Sequence, residues 1–170
     1  NLLLRDLDEL VNQQLSKTLF ANPQRIDYYD RNQEIIDAYK AEQNRATIEK
    51  TFMDLMELAS SLDTEQQRYV REGFSSDEEL SVYDLLFSEN LTKQEIETIK
   101  KVSVDLLTKI KQQIAKLDHW TDKQETKAIV DNLIRNTLWQ ELPNSYDVSD
   151  IQTYQKKIYE YVYMRYPEVA

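Results

Sequence analysis

One glycine, Gly73, and three prolines stand in 170 residues, and this scarcity constrains the fold more than any other feature. Tight hairpins need positions with positive φ, which glycine and asparagine supply, and sandwiches need such turns at short, regular intervals. A chain nearly without glycine has helices left to it. Its apolar residues agree, recurring at three and four: Leu4, Leu7, Val11, Leu15, Leu19; then Ile48, Phe52, Leu55, Leu58 or Ala59, Leu62; then Ile96, Ile99, Leu106, Ile110, Ile114, Leu117. Each series paints one stripe on a helix. The reading is an all-α fold, an irregular bundle of about seven or eight helices without a sheet.

Helix starts are marked by capping boxes, in which a Ser or Thr side chain caps an orphan amide and a Glu or Gln three residues on reaches back. The pairs are Ser76 with Glu79, Thr92 with Glu95, Thr121 with Gln124 and Ser149 with Gln152, and Asp63 with Gln66 resembles them. At the ends, Gly73 can supply a left-handed cap, while Pro143 and Pro167 stop helices. Helices are therefore predicted near 4–20, 24–45, 48–61, 64–72, 77–87, 93–117, 122–141 and 150–165. Residues 1–22, closed by Asn22 and Pro23, read as an N-terminal helix linking to a removed part of a parent chain, and residues 23–170 as a C-terminal helical domain. The start at Asn1, without an initiator Met or a leader, fits a piece of something longer.

Mean hydropathy is -0.69, and the uninterrupted apolar runs, such as Leu2 to Leu4, fall far short of the ~20 residues of a spanning helix. No membrane role is expected. The absence of cysteine excludes disulfides and is compatible with a reducing cytosol, but leaves the redox compartment open; a cytoplasmic location is expected. The net charge of -10 sits in the first half: residues 1–90 carry 9 basic and 19 acidic groups, residues 91–170 carry 12 of each. Such a surface repels phosphates and disfavours stand-alone duplex binding, although a local basic face can lie beside DNA held by another domain.

Chemistry of its own is hard to find in the chain. A phosphate-binding loop needs several glycines, and there is one. The single histidine, His119, has Asp118 and Asp122 beside it, but a metal site needs convergent groups with outer support, and a polar turn residue is the simpler reading. Asp77, Glu78 and Glu79 occupy the first turn of a helix, where negative charge meets the macrodipole favourably. Glu125 and Lys127 echo half of a nuclease signature without a strand around them. No catalytic, metal or cofactor residue is assigned.

Binding surfaces are better represented. Among eleven tyrosines, Tyr154, Tyr159, Tyr161, Tyr163 and Tyr166 crowd the C-terminus. Tyr154, Ile158 and Tyr161 form one stripe, which leaves Tyr159 and Tyr163 for a partner or for a second buried face. On the long helix Lys93, Lys100 and Lys111 align, while Lys101, Lys109 and Lys116 project elsewhere.

The order of "RNQEIIDAY" at 31–39, "RYVREGFSSDEELSVYDLL" at 68–86, "LTKQEIETIKKVSVDLL" at 91–107, "DHWTDKQETKAIVDNLI" at 118–134 and "ELPNSYD" at 141–147 resembles the C-terminal helical domain of the motor and restriction (R, HsdR) subunit of type I restriction-modification enzymes. Two departures are Lys40-Ala41-Glu42, where the family often has a glycine, and Lys123, Lys127 and Arg135, where it has an arginine-rich stretch. The resemblance implies a parent that cuts DNA with an N-terminal nuclease domain and translocates it with ATP- and Mg-dependent motor domains. It implies an assembly role here, toward the methyltransferase and specificity subunits and the rest of the motor. Under it the partner-binding candidates are Arg68, Arg71, Glu72, Phe74, Asp84 and Trp120, to which the sequence pattern adds Tyr159 and Tyr163. Double-stranded DNA is the alternative partner, with Lys93, Lys100, Lys111, Lys123, Gln124, Lys127 and Arg135 as its contacts.

Overall fold

Where each helix begins is decided by which polar side chain reaches the orphan amides first. In the computed structural model, which describes residues 2–168, the elements are α1 (Leu2–Ala21), a 3-10 turn (Pro23–Arg25), α2 (Ile26–Ala41), α3 (Arg45–Gln66), one-turn α4 (Arg68–Arg71), α5 (Asp77–Leu86), α6 (Lys93–Ala115), a second 3-10 turn (Trp120–Asp122), α7 (Gln124–Glu141) and α8 (Val148–Arg165). There is no strand among the described residues, as the dearth of glycine requires.

Thr92 and Glu95 form the reciprocal box expected of them, at 3.1 Å in both directions. Ser76 accepts from the Glu79 amide, while the Glu79 carboxylate reaches one residue further back, to Ser75. The other expected boxes are corrected. α8 is capped two residues before Ser149, because Asp147 and Asp150 make their own reciprocal pair, and a carboxylate is a good cap that also meets the dipole. Thr121 lies in the second 3-10 turn, and α7 begins at Gln124 without a side-chain cap. Asp63 and Gln66 fall inside α3, where Leu58, Leu62 and Glu65 continue the buried stripe and leave no reason to break. Asn44 and Thr47, not anticipated, box the start of α3 and thereby end α2 at Ala41 rather than near residue 45.

By its contacts the chain divides into two compact units, one through Ser81 and one from Val82, so that α5 gives its first half to one and its second half to the other. In the first unit α1 and α2 both pack on α3, and the core is Leu4, Val11, Leu15, Ile35, Leu55, Leu58 and Leu62. The stretch 1–22, set apart in the sequence reading, is thus built into this core. Phe52, expected in the stripe, is 40% exposed, and Thr51 is buried in its place; its hydroxyl is satisfied by the Thr47 carbonyl at 2.7 Å, which removes the cost of burying it.

In the second unit α7 packs against both α6 and α8. Buried there are Ile99, Leu106, Ile110 and Ile114 of α6, Val130, Ile134 and Leu138 of α7, and Ile158 and Val162 of α8. No helix among the described residues is long and apolar enough to cross a membrane.

Candidate functional site

The stretch "RYVREGFSSDEEL" closes the first unit through charge. α4 ends in a left-handed glycine cap: Gly73 has φ 86, the Phe74 amide donates to the Tyr69 carbonyl at 2.9 Å and the Gly73 amide to Val70 at 3.1 Å, which is the Schellman arrangement. Phe74 is buried just beyond it. Arg68 donates through Nε to both oxygens of Glu65, at 2.8 and 3.0 Å, and Arg71 donates to the Thr64 carbonyl at 3.3 Å. Glu72 is the half-buried C-cap of α4.

The residue that organises this region is Arg25, which no sequence signal marked. Its side chain is 2% exposed. Nε donates to Glu65 at 3.1 Å, Nη1 and Nη2 clasp both oxygens of Asp77 at 2.9 and 2.6 Å, and Nη1 also reaches the Thr18 carbonyl at 3.3 Å. Burial alone lowers the pKa of a cation, but the hydrogen-bonded charge of Asp77, then that of Glu65, outweighs it and holds the guanidinium above its ordinary value. Nearby, burial and then Glu65 push the Tyr28 phenol up. Arg25 thereby ties the end of α1, the end of α3 and the start of α5 together. Buried Ser81 adds a hydrogen bond to the Ala21 carbonyl at 2.7 Å.

In the second unit the segment "ELPNSYD" has the corresponding role. Tyr146 is buried, and its hydroxyl donates to the Leu86 carbonyl at 2.5 Å, at the last residue of α5 and of "YDLL"; burial first, then neighbouring charge, pushes this phenol far up. Ser145 donates to Glu95 of "LTKQE". That bond, with the Thr92 cap, draws the Glu95 carboxyl below its usual range. Lys109 bridges Asp105 and Glu141 at 2.9 and 3.1 Å. Asp84 is half-buried on α5.

Trp120 is fully buried. Its indole N–H donates to the Tyr166 carbonyl at 2.6 Å, and the rings of Tyr159 and Tyr163 meet it edge-on, with centroids 6.0 and 5.8 Å away. These edge contacts are favourable beyond simple burial. Tyr159 is half-buried and Tyr163 is 38% exposed, so each presents an outer side while Trp120 covers the inner one.

The basic candidates are spread along the unit. Lys93, Lys123, Gln124 and Arg135 are exposed and Lys127 half-buried, whereas Lys100 lies over the Tyr83 ring at 5.9 Å and Lys111 over Tyr166 at 5.4 Å. Trp139, not singled out from the sequence, is 51% exposed one helical turn after Arg135. His119 is 59% exposed in a left-handed turn, with Asp118 at 3.4 Å and Glu168 at 3.3 Å. Among the described residues no group of three or more His, Cys, Asp and Glu side chains is arranged to hold a metal.

Within the second unit "ELPNSYD" thus meets both "YDLL" and "LTKQE". A family model described as type I restriction enzyme HindI endonuclease subunit-like, C-terminal, matches residues 1–166. The chain belongs to this family. It is the C-terminal domain of a type I restriction endonuclease subunit, and the match takes in α1 as well as the motifs from Arg31 onward. No curated protein and no solved structure matches the chain.

Proposed function

We propose that this domain docks the endonuclease subunit of a type I restriction-modification enzyme on its methyltransferase and specificity subunits, and has no catalytic step of its own. The observation that carries the reading is the number of large apolar side chains left on the surface. Met164 is 76% exposed, Phe20 and Met53 are each 70% exposed, Val70 62% and Trp139 51%. Among the exposed apolar side chains Phe52, Met53 and Met56 are neighbours on α3, and grouped apolar side chains of this kind mark surfaces that other proteins cover. ATP and Mg, in this reading, act in the motor part of the parent subunit, and the assembly works in the cytoplasm. Deleting residues 24–170 from the full subunit is expected to abolish or strongly weaken co-purification with the methyltransferase core, and assembly at full strength would refute the proposal.

A second reading, contact with DNA along the translocation path, is favoured by one observation. Exposed Arg135 and exposed Trp139 lie one turn apart on α7, and a cation beside an aromatic ring suits a nucleic-acid strand. Reversing the charge at Lys93, Lys123, Lys127 and Arg135 in the assembled enzyme should then reduce DNA affinity and flatten its salt dependence. An unchanged salt slope would remove this reading.

A further inference from the structure

In the first unit α1 and α3 run in the same direction. Leu4 lies beside Ile48 and Phe52 near their starts, and Arg25, just past α1, reaches Glu65 at the far end of α3. α2 covers one flank of this pair, with Ile36 and Tyr39 against Leu4 and Asp8 and Tyr28 against Leu58 and Ser61. On α3 the buried line runs through Thr51, Leu55, Leu58 and Leu62, and at 3.6 residues per turn Phe52 and Met56 lie on the flank away from α2. On α1 the same geometry puts Leu3 and Leu10 on that flank. There Leu3 is 71% exposed, Leu10 49%, Phe52 40%, Met53 70% and Met56 51%. Between them opens a groove of about 420 Å³, lined by Leu3, Leu4, Ile48, Glu49, Phe52 and Met53.

We propose that this groove seats an amphipathic helix of a partner subunit, apolar along one stripe and basic along its edges, which completes a four-helix arrangement with α1, α2 and α3. The inference rests on the docking reading above and names its surface and the chemistry of its partner. Leu3 to Leu10 spans about 10 Å, roughly two helical turns, so an occupant with apolar residues at i, i+3 or i+4, and i+7 fills it. Methionine walls suit such a partner because their flexible thioethers mould to its side chains.

The basic edge follows from charge. α1 and α3 together carry four basic and eight acidic side chains. Three of the four cations face carboxylates of their own helix: Arg5 toward Glu9 at 4.0 Å, Arg45 toward Glu49 at 3.2 Å and Lys50 toward Asp54 at 2.7 Å. The two helices therefore carry a net charge of -4, and Glu49 lines the groove itself. A basic occupant is attracted, whereas a second copy of the same acidic pair is repelled.

The domain has no cysteine, so Met53→Cys in the full endonuclease subunit gives one label site in this domain for a benzophenone maleimide. In the complex assembled with the methyltransferase and specificity subunits, the photo-adduct is expected on a partner segment with helical apolar spacing and more Lys and Arg than Asp and Glu. An adduct on an acidic segment, on a second endonuclease subunit, on the subunit's own preceding chain, or on nothing would overturn the proposal. A second measurement reads the sign of the charge: Met53→Lys/Met56→Lys should weaken assembly at least tenfold and more than Met53→Glu/Met56→Glu, with melting temperatures unchanged. Equal effects would refute the basic edge. If deleting residues 24–170 weakens assembly while the lysine pair does not, the groove is wrong and the docking reading stands. If the deletion has no effect, the docking reading itself fails.

Discussion

Replacing Arg25 by methionine keeps most of the stem's apolar volume and removes all of its donors. Two carboxylates then lose a buried cation, and the sizes of the two losses differ. Glu65 is 9% exposed at its side chain but keeps Arg68 on both oxygens, whereas Asp77 is 26% exposed and is partly rescued by water. Breaking a buried ion pair from one side costs about 3–5 kcal/mol, and both circumstances push this case to the low end, about 3 kcal/mol. Both tryptophans, Trp120 and Trp139, belong to the second unit, so their fluorescence does not report on this loss. Hydrogen exchange read by mass spectrometry does: protection of peptides from α3 should fall roughly 100-fold, since each 1.36 kcal/mol is a factor of ten. The double variant Arg25→Met/Asp77→Asn should recover much of it, because residue 77 is then uncharged while Glu65 keeps Arg68. A fall of less than about fivefold in the single variant, or no recovery in the double, would refute the assignment of Arg25 as the tie between α1, α3 and α5.

Three further outcomes follow from the same geometry. Tyr146→Phe leaves the Leu86 carbonyl without its buried donor and should cost about 1–2 kcal/mol, read as a lower urea midpoint by tryptophan fluorescence. Gly73→Ala should cost about 1–2 kcal/mol from the left-handed backbone alone, because an added Cβ meets nothing within 4 Å; Gly73→Asn should cost less. The depressed pKa of Glu95 stabilises the fold fully above its unfolded value near 4.5, and that contribution is lost as pH falls through the lower folded value. Ser145→Ala removes the largest cause of the shift, so melting temperatures of the variant and the parent should differ at pH 6 and converge toward pH 3.

What the sequence made legible was whatever is encoded within one helical turn. Thr92 and Glu95 are three residues apart and announce α6, and Gly73 announces a left-handed stop because few other residues take that backbone easily. Asp147 and Asp150 were hidden by Ser149 and Gln152, an equally good pattern two residues later, and only the packing of α8 decides between them. Arg25 was illegible for a different reason: its partners lie 40 and 52 residues away, and nothing in "NPQRIDYYD" tells a buried arginine from a solvated one. Trp120 reads in the sequence only as a partner-binding candidate, and its burial and its indole hydrogen bond to Tyr166, 46 residues on, are likewise tertiary facts. The tyrosine pair was half legible, since spacing separated Tyr159 and Tyr163 from the first stripe but could not say that Trp120 would stand between them and the core.

The hydrogen bond from Tyr146 to Leu86 joins residues 60 apart, and that separation fixes its place in time as well as in space. Contacts within α6, within α7 and between neighbouring helices close short stretches of chain and can form early, whereas a joint across 60 residues closes a long stretch and is expected to form later. An interaction that forms after the rate-limiting step contributes to the unfolding barrier and little to the folding one. Loosening this joint is therefore expected to shorten the lifetime of the folded second unit more than it slows folding, as the two arms of a denaturant chevron would report.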